Sequence, residues 1–417
     1  MTRSWTRALR AAALATGVVL PASALAQVTP PGPIGANGTV TPIQGVGGRL
    51  FKLDVYGRVT YDSNVAGGEE AIAALKGLHK DDVVYAPSAT INLSLPVGRE
   101  GLFLTGNVGY DFHQYNSTLN ASRINLIGGG SAKVGPCTGG LTAGYARSQT
   151  DQTLLPLAVT KNIQTVDSAG LQVQCASAAG LGEFVSVQYV SARNDGGVGL
   201  VDSDAVSSSG GLTYQNHALG QISVFGSYTT TDYGSGGDPN LPQTPGFRSY
   251  SAGISYARPI GRRLKGSLEV SYQSARSRDG SGTEFNGIGT QGSLEYRVTP
   301  RLTTTLLVSR SVQPTIQQGS NFTVVEQAQL DAHYRLSSRL SASLGASWSN
   351  IDYRQGAVAL PTFVSRDRVE GIYGGVGFRV GRQGNLALDV RRETRNTNLT
   401  IFNYTDYRVG VTASQSF

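Results

Sequence analysis

The chain has 417 residues, among them 54 glycines, 19 tyrosines and one methionine, the initiator, with a formal net charge of +7. That composition is poor for a helical protein and suits twisted strands, and the charge is too mild to suggest a nucleic acid partner. No window beyond the N-terminal region holds the ~18 apolar residues of a spanning helix, so a membrane protein of this sequence must cross as a closed barrel.

Arg3, Arg7 and Arg10 precede the apolar run Ala11 to Leu20, and Ala24-Leu25-Ala26 follows as a small-residue cleavage site. Residues 1–26 therefore read as a secretory signal peptide. The apolar run, about 10 residues, is half the roughly 20 that a membrane anchor needs. Its removal lowers the formal charge to about +4. Residues 27–49 are Pro- and Gly-rich without periodicity and read as a flexible periplasmic lead-in.

Alternation of period two begins at Phe51 and continues through residues 50–417, the expected barrel. Short turn-forming clusters recur about every 40 residues, at Pro96–Gly101, Gly135–Gly140, Ala176–Gly182, Asn216–Gly220, Pro259–Arg263, Thr299–Arg301, Ser337–Arg339 and Gly381–Gly384. Longer polar segments lie midway between them. A propeller has a similar repeat, but it needs four short strands per blade, whereas each repeat here holds two long ones. The fold expected is an all-β transmembrane antiparallel β-barrel of about 18 strands, with short periplasmic turns and longer extracellular loops. Along one strand, Leu264, Gly266, Leu268, Val270 and Tyr272 face lipid, and Lys265, Ser267, Glu269, Ser271 and Gln273 face the lumen.

The longest loop, Asp62 to Asp82, contains a helix-prone piece, Glu69 to Lys76, suited to folding into the mouth. Cys137 and Cys175 flank one predicted hairpin and are expected to form a disulfide at its base, in keeping with an oxidising periplasm. On the lumen parity lie Glu269, Glu295 and Arg297, Asp331, His333 and Arg335, Asp389 and Arg391, and Asp406 and Arg408. Glu269, Asp331, Arg391 and Arg408 fall at similar distances from the periplasmic ends of their strands. They read either as a selectivity ring or as a salt-bridged wall. Changing Arg391 and Arg408 to Glu is expected to weaken passage of an acidic polymer while leaving assembly intact. His79, His113, His217 and His333 show no metal-ligand spacing. No cofactor, metal or catalytic residue is expected, and Gly128-Gly129-Gly130 reads as close-packed strand glycine.

The last strand alternates Tyr407, Val409, Val411, Ala413 and Phe417 against Asp406, Arg408, Thr412, Ser414 and Ser416. It resembles the terminal strand of bacterial outer-membrane proteins, which implies that Phe417 serves as an assembly signal for the barrel assembly machinery. Tyr61-Asp62-Ser63-Asn64-Val65, Tyr296-Arg-Val-Thr-Pro-Arg-Leu302 and Tyr334-Arg-Leu-Ser-Ser-Arg-Leu340 resemble motifs of the family Putative beta-barrel porin 2. The resemblance implies a bacterial outer-membrane barrel in contact with lipid and lipopolysaccharide. It also implies secretion of an exopolysaccharide, with polysaccharide as cargo and periplasmic export components as partners. The alternative is an uptake porin for small hydrophilic solutes, for which one long inward loop is expected. The Asp62-Ser63-Asn64 motif has no derived role beyond an Asx-type turn.

Overall fold

The computed structural model describes residues 51–417, except 98–99, 153–154, 156–158, 197–199, 217, 235–243, 262, 281, 283, 318 and 356–363. The expected signal peptide and lead-in lie outside the described residues. Eighteen strands follow one another: β1 (Phe51–Asp62), β2 (Asp82–Val97), β3 (Glu100–His113), β4 (Ala121–Val134), β5 (Cys137–Gln149), β6 (Ile163–Ala176), β7 (Leu181–Asn194), β8 (Ser203–Asn216) and β9 (Gly220–Tyr233), then β10 (Phe247–Ile260), β11 (Leu264–Ser277), β12 (Phe285–Arg297), β13 (Leu302–Gln313), β14 (Ser320–Arg335), β15 (Leu340–Gln355), β16 (Arg366–Val380), β17 (Gly384–Thr397) and β18 (Tyr404–Ser416). One helix, α1 (Glu70–Lys76), interrupts the β1–β2 connection.

Every strand pairs antiparallel with its neighbours in sequence, and β1 pairs with β18, so the sheet closes on itself. Each expected short turn falls between an even-numbered strand and the next. The two Tyr-Arg…Arg-Leu links have one chemistry. Thr299 and Ser337 each accept the N–H three residues on through the side-chain hydroxyl, at 3.0 Å, and that residue is Leu302 or Leu340. The hydroxyl does here what a left-handed glycine does at Gly135 (φ 60°) and Gly381 (φ 64°).

The side-chain period of two then sorts the wall. Ile254, Leu268, Leu344, Ile372, Val390 and Val411 point outward and are exposed. Their strand neighbours point inward. Exposed rings stand near both rims, Tyr250 and Tyr272 at the loop end, with the half-buried Tyr228 ring 5.0 Å from Tyr250, and Tyr296, Tyr334 and Phe417 at the turn end, the girdles of a bilayer-spanning barrel. Phe417 donates its N–H to Leu53 O at 2.8 Å, which adds a rung to the β1–β18 seam.

Cys137 and Cys175 stand directly opposite one another in the β5–β6 register and are joined, with an S–S distance of 2.02 Å. β5 starts at Cys137 and β6 ends at Ala176, so both cysteines lie within the strands themselves. The pair shares the outward row with Leu141 and Leu171 at the turn end of the hairpin.

One rung of the wall is incomplete. The β12–β13 pairing stops at Thr290 opposite Arg310, so Phe285 to Gly289 have no partner in β13. Above that point β13 and β14 bend into the lumen, where Phe322 and Val324 pack on Phe247, Ala275 and Phe285. The Arg310 side chain bridges the gap, donating to Ile288 O at 3.0 Å and pairing with Glu326 at 2.9 Å.

Ile254→Arg, on the outward face near the middle of β10, is expected to destabilise the membrane-inserted barrel by about 2–4 kcal/mol. Ser168→Arg, on the inward face of β6, should leave it essentially unchanged; denaturant unfolding in lipid vesicles compares the two. Replacing both cysteines with Ala should leave assembly intact and lower the heat-unfolding temperature, read from gel mobility of heated and unheated samples.

Candidate functional site

The buried side chains do not fill the barrel evenly; they gather at the loop end, where several connections meet inside the mouth. The β1–β2 loop brings in α1. Glu70 lies in its first turn and Lys76 in its last, favourably for the helix dipole. Gly77 ends it at φ 66°, and the N–H groups of Gly77 and Leu78 close the last turn on Ala74 and Ala73 at 3.1 and 2.9 Å. Seven residues cannot hold a helix alone in water. This one is held by packing: Ala73 sits with Ala66, Leu78 and Leu119 in a buried cluster, and Ile72 is fully enclosed.

From there the loop reaches across to the β5–β6 loop. Lys76 Nζ donates to Gln152 O at 2.8 Å and to Gln152 Oε1 at 3.3 Å, and Thr160 Oγ1 donates back to Lys76 O at 3.0 Å. On the opposite flank of the mouth, the β13–β14 tip meets the β7–β8 loop. Val201 donates its N–H to Ile316 O at 2.9 Å, and Leu200 bridges to Gln317. The Tyr233 hydroxyl accepts from Thr315 N and donates to Asn321 O, at 3.1 and 2.7 Å. Leu155, Val159, Leu200 and Ile316, from three loops, form a buried apolar hub. Strands this far apart around a cylinder can touch only through its interior. The loops therefore narrow the mouth.

The charged residues on the lumen parity lie on an arc rather than a full ring. Arg391 and Arg408 oppose one another directly in the β17–β18 register, as do Glu393 and Asp406. Like charges so placed repel, and each is neutralised along its own strand. Arg391 donates to Glu393 Oε2 at 2.7 and 3.1 Å. Arg408 Nε lies 2.7 Å from Asp406 and 2.8 Å from Asp62 across the seam. Arg58 holds Asp389 through two bonds of 2.9 and 2.7 Å. Arg395, 1% exposed, holds Asp367 at 2.6 Å. Each of these arginines therefore has a carboxylate partner, and the arrangement is a salt-bridged wall. Arg408→Glu would gather three carboxylates at the seam, where a buried charge stripped of its partner costs about 3–5 kcal/mol, so that substitution is expected to lower the yield of folded barrel, read from heat-modifiable gel mobility.

Asp331 belongs to a separate cluster. The Tyr373 ring lies over Gly345, where a side chain would collide with it, and its hydroxyl donates to Asp331 at 2.6 Å while Gln329 donates to both. Arg391 stands 5.6 Å from that ring's centre. Glu269 lies on the inward face of β11, partly exposed. Glu295 and Arg297 pair with one another near the turn end, at 3.3 Å, and Arg335 donates to Pro300 O at 2.6 Å. His333, opposite Thr303 and Ser343 on β13 and β15, lies near the same end. Sequence reading missed Arg58, Asp62, Asp367, Glu393 and Arg395. Glu393 and Arg395 continue the parity of Asp389 and Arg391, a signal that was there to be counted; Arg58 and Asp62 become visible only once β1 is known to close on β18.

The other half of the lumen is different. Among the described residues, the inward faces of β5 to β10 carry no Asp, Glu, Lys or Arg. They carry hydroxyls that bond across strands, Ser186 to Ser209 at 2.6 Å, Ser207 to Thr229 at 2.9 Å and Ser227 to Ser251 at 2.6 Å. A neutral hydroxylated wall thus faces an ion-paired one.

Residues 248–417 match the family Putative beta-barrel porin 2. No curated protein matches the chain in sequence. Among solved structures, OccK2 (OpdF) of Pseudomonas aeruginosa is 11% identical at a TM-score of 0.47, covering 88% of this chain and 98% of its own. A BenF-like porin of Pseudomonas fluorescens Pf-5 is 11% identical at 0.48, covering 88% and 99%. The outer membrane protein opdK of Pseudomonas aeruginosa is 12% identical at 0.45, also covering 88% and 99%. With its closed wall, apolar outer face and inward polar rows, the chain is a porin-like barrel of the bacterial outer membrane whose residues 248–417 match the family Putative beta-barrel porin 2.

Proposed function

We propose that the protein is a passive channel that admits small hydrophilic solutes through the outer membrane. The observation that carries this reading is the narrowed mouth: α1 and the β13–β14 tip fold inward and are tied there by named bonds. A conduit for a threading polysaccharide calls for a continuous wide path with weak contacts. Inward loops that narrow the mouth restrict passage to small solutes. The hydroxylated wall of β5 to β10 supports a hydrophilic cargo, since hydroxyls donate and accept without gripping a charge. Arg58, Arg391, Arg395 and Arg408, each with its carboxylate, supply no strong field for anions.

Purified protein in liposomes should give osmotic swelling with mono- and disaccharides and none with long dextrans. A deletion strain that takes up small solutes normally but stops secreting polysaccharide would overturn the reading in favour of export. Replacing Glu69 to Lys76 with a short Gly-Ser linker should enlarge the unit conductance in planar bilayers and raise the size of sugar admitted.

The seating of α1 should also depend on pH. Burial pushes the Lys76 ammonium down to about 8, against the opposing pull of Asp151 and with a smaller push from Arg395. A lysine freed from the loop contact titrates near 10.4. Between these values the seated loop holds fewer protons than the freed one, so seating strengthens as pH rises from about 8 towards 10.4 and is level below about 8, where both forms are protonated. Conductance should become smaller and quieter from pH 7 to pH 9.5, and Lys76→Met should flatten that dependence.

A further inference from the structure

Tyr61-Asp62-Ser63-Asn64-Val65 sits where the wall stops and the narrowing loop begins, and each of its polar residues makes a different connection. Asp62 is the last residue of β1. Its Oδ2 lies 2.8 Å from Arg408 of β18, and its Oδ1 accepts the Asn64 N–H at 2.8 Å. Ser63 carries the seam one rung further than the strand itself. Its N–H donates to Tyr407 O at 3.1 Å, its hydroxyl donates to Asp406 at 2.8 Å, and the same hydroxyl accepts Tyr407 N–H at 2.8 Å.

Asn64, 3% exposed, turns the chain inward. Its backbone oxygen accepts Gly67 N–H at 3.1 Å and its side-chain oxygen accepts Gly68 N–H at 3.3 Å. Gly67 takes φ 69°, and at Gly68 a Cβ would stand 2.8 Å from the Ile72 side chain. The first turn of α1 is thereby set directly against the motif. Val65 joins the cluster that packs α1.

The other foot of the loop is fixed independently. Asp82 faces Asp62 in the β1–β2 register, a like-charge pairing that each carboxylate escapes by turning to a different neighbour. Asp82 accepts from Tyr115 N at 3.0 Å, Asn116 N at 3.1 Å and Asn116 Nδ2 at 2.9 Å, and Asn116 in turn holds His79 N at 2.7 Å.

We infer that Asp62-Ser63-Asn64 is a latch that couples closure of the barrel to seating of the narrowing loop, with Asn64 as the positioning residue for α1 and Ser63 as the link to the β1–β18 seam. The inference rests on the reading that the β1–β2 loop narrows the channel. It gives the motif a role beyond ending a strand. The loop leaves the wall through Asp62 and Ser63, which meet Asp406, Tyr407 and Arg408 only when β18 has paired with β1 to its last rung, so a barrel left open at the seam would leave the loop unseated.

The test uses the full chain in outer membranes and planar bilayers, comparing wild type with Asn64→Ala, Asn64→Asp and Ser63→Ala. Loss of one such hydrogen bond shifts an equilibrium by a factor of about 2 to 10. Asn64→Ala should raise the rate of tryptic cleavage at Lys76 or Lys80 by about that factor and enlarge the mean conductance, with the heat-modifiable gel mobility of a folded barrel retained. Asn64→Asp, which keeps an acceptor for Gly68 N–H, should restore both towards wild type, and Ser63→Ala should release the loop in the same direction as Asn64→Ala. Unchanged cleavage and conductance in Asn64→Ala and Ser63→Ala would overturn the latch if removal of α1 still enlarges the channel. If removal of α1 has no effect on conductance while Asn64→Ala exposes Lys76, the latch stands as a structural device and the narrowing reading falls. Loss of the folded barrel itself in both Asn64→Ala and Ser63→Ala would assign the motif to assembly alone and overturn the coupling.

Discussion

Everything in this molecule depends on a backbone that cannot be left unpaired inside hydrocarbon. A lipid-facing sheet with a free edge would expose a row of N–H and C=O groups at a cost of several kcal/mol each, so β1 and β18 must meet. That seam is the pairing of longest sequence separation, joining residues more than 340 apart. Charge is concentrated nearby. Asp62, Asp406 and Arg408 span the seam, Arg58 reaches over β18 to Asp389 on β17, and Ser416 bonds to Asp54 at the opposite end. Buried ion pairs add little net stability compared with apolar packing, but a misregistered one is costly. Their value here is in selecting one register: a shift by one residue would turn the whole set outward into lipid.

The same closure creates an interior, and that interior has two kinds of surface. On β16 to β18 and β1, long charged side chains brace one another and keep the wall stiff. On β5 to β10, short hydroxyls hold to neighbours across strands and leave room. A solute passing between them meets fixed dipoles on one flank and adaptable donors and acceptors on the other. Loops from both halves then meet above, in an apolar hub that no single loop could bury alone.

The barrel was legible in the sequence because its signals are local and repeated. A period of two marks each strand, and a hydroxyl or glycine marks each short turn, as Thr299, Ser337 and Gly381 show. Strand number and the lumen parity of Glu295, Asp331, Arg391 and Arg408 follow from those signals alone. Partners do not. Whether Arg391 meets Glu393 or Arg408 meets Asp62 depends on register and on closure, and neither is written within one strand. The inward loops were legible only in part. The helix-prone piece in the longest loop was visible, yet its contact with Gln152 lies 76 residues away. Leu155, Leu200 and Ile316 each look like an isolated apolar residue in a polar loop, and only their meeting explains them.

The gap between β12 and β13 acts as a depth gauge. Phe285 to Gly289 have no strand beside them on that flank, and the guanidinium of Arg310 occupies the space. Neither open backbone nor an arginine is at ease in acyl chains, so the hydrocarbon must end at about the height of Thr290. Tyr272 stands beside Ile288, and Tyr250 and Tyr228 follow around the wall at nearly the same height, as phenols do at a headgroup boundary. A defect in the hydrogen-bond ladder and a row of aromatic rings thus give one waterline, and how far the barrel rises above the bilayer is set by where its wall first fails to pair.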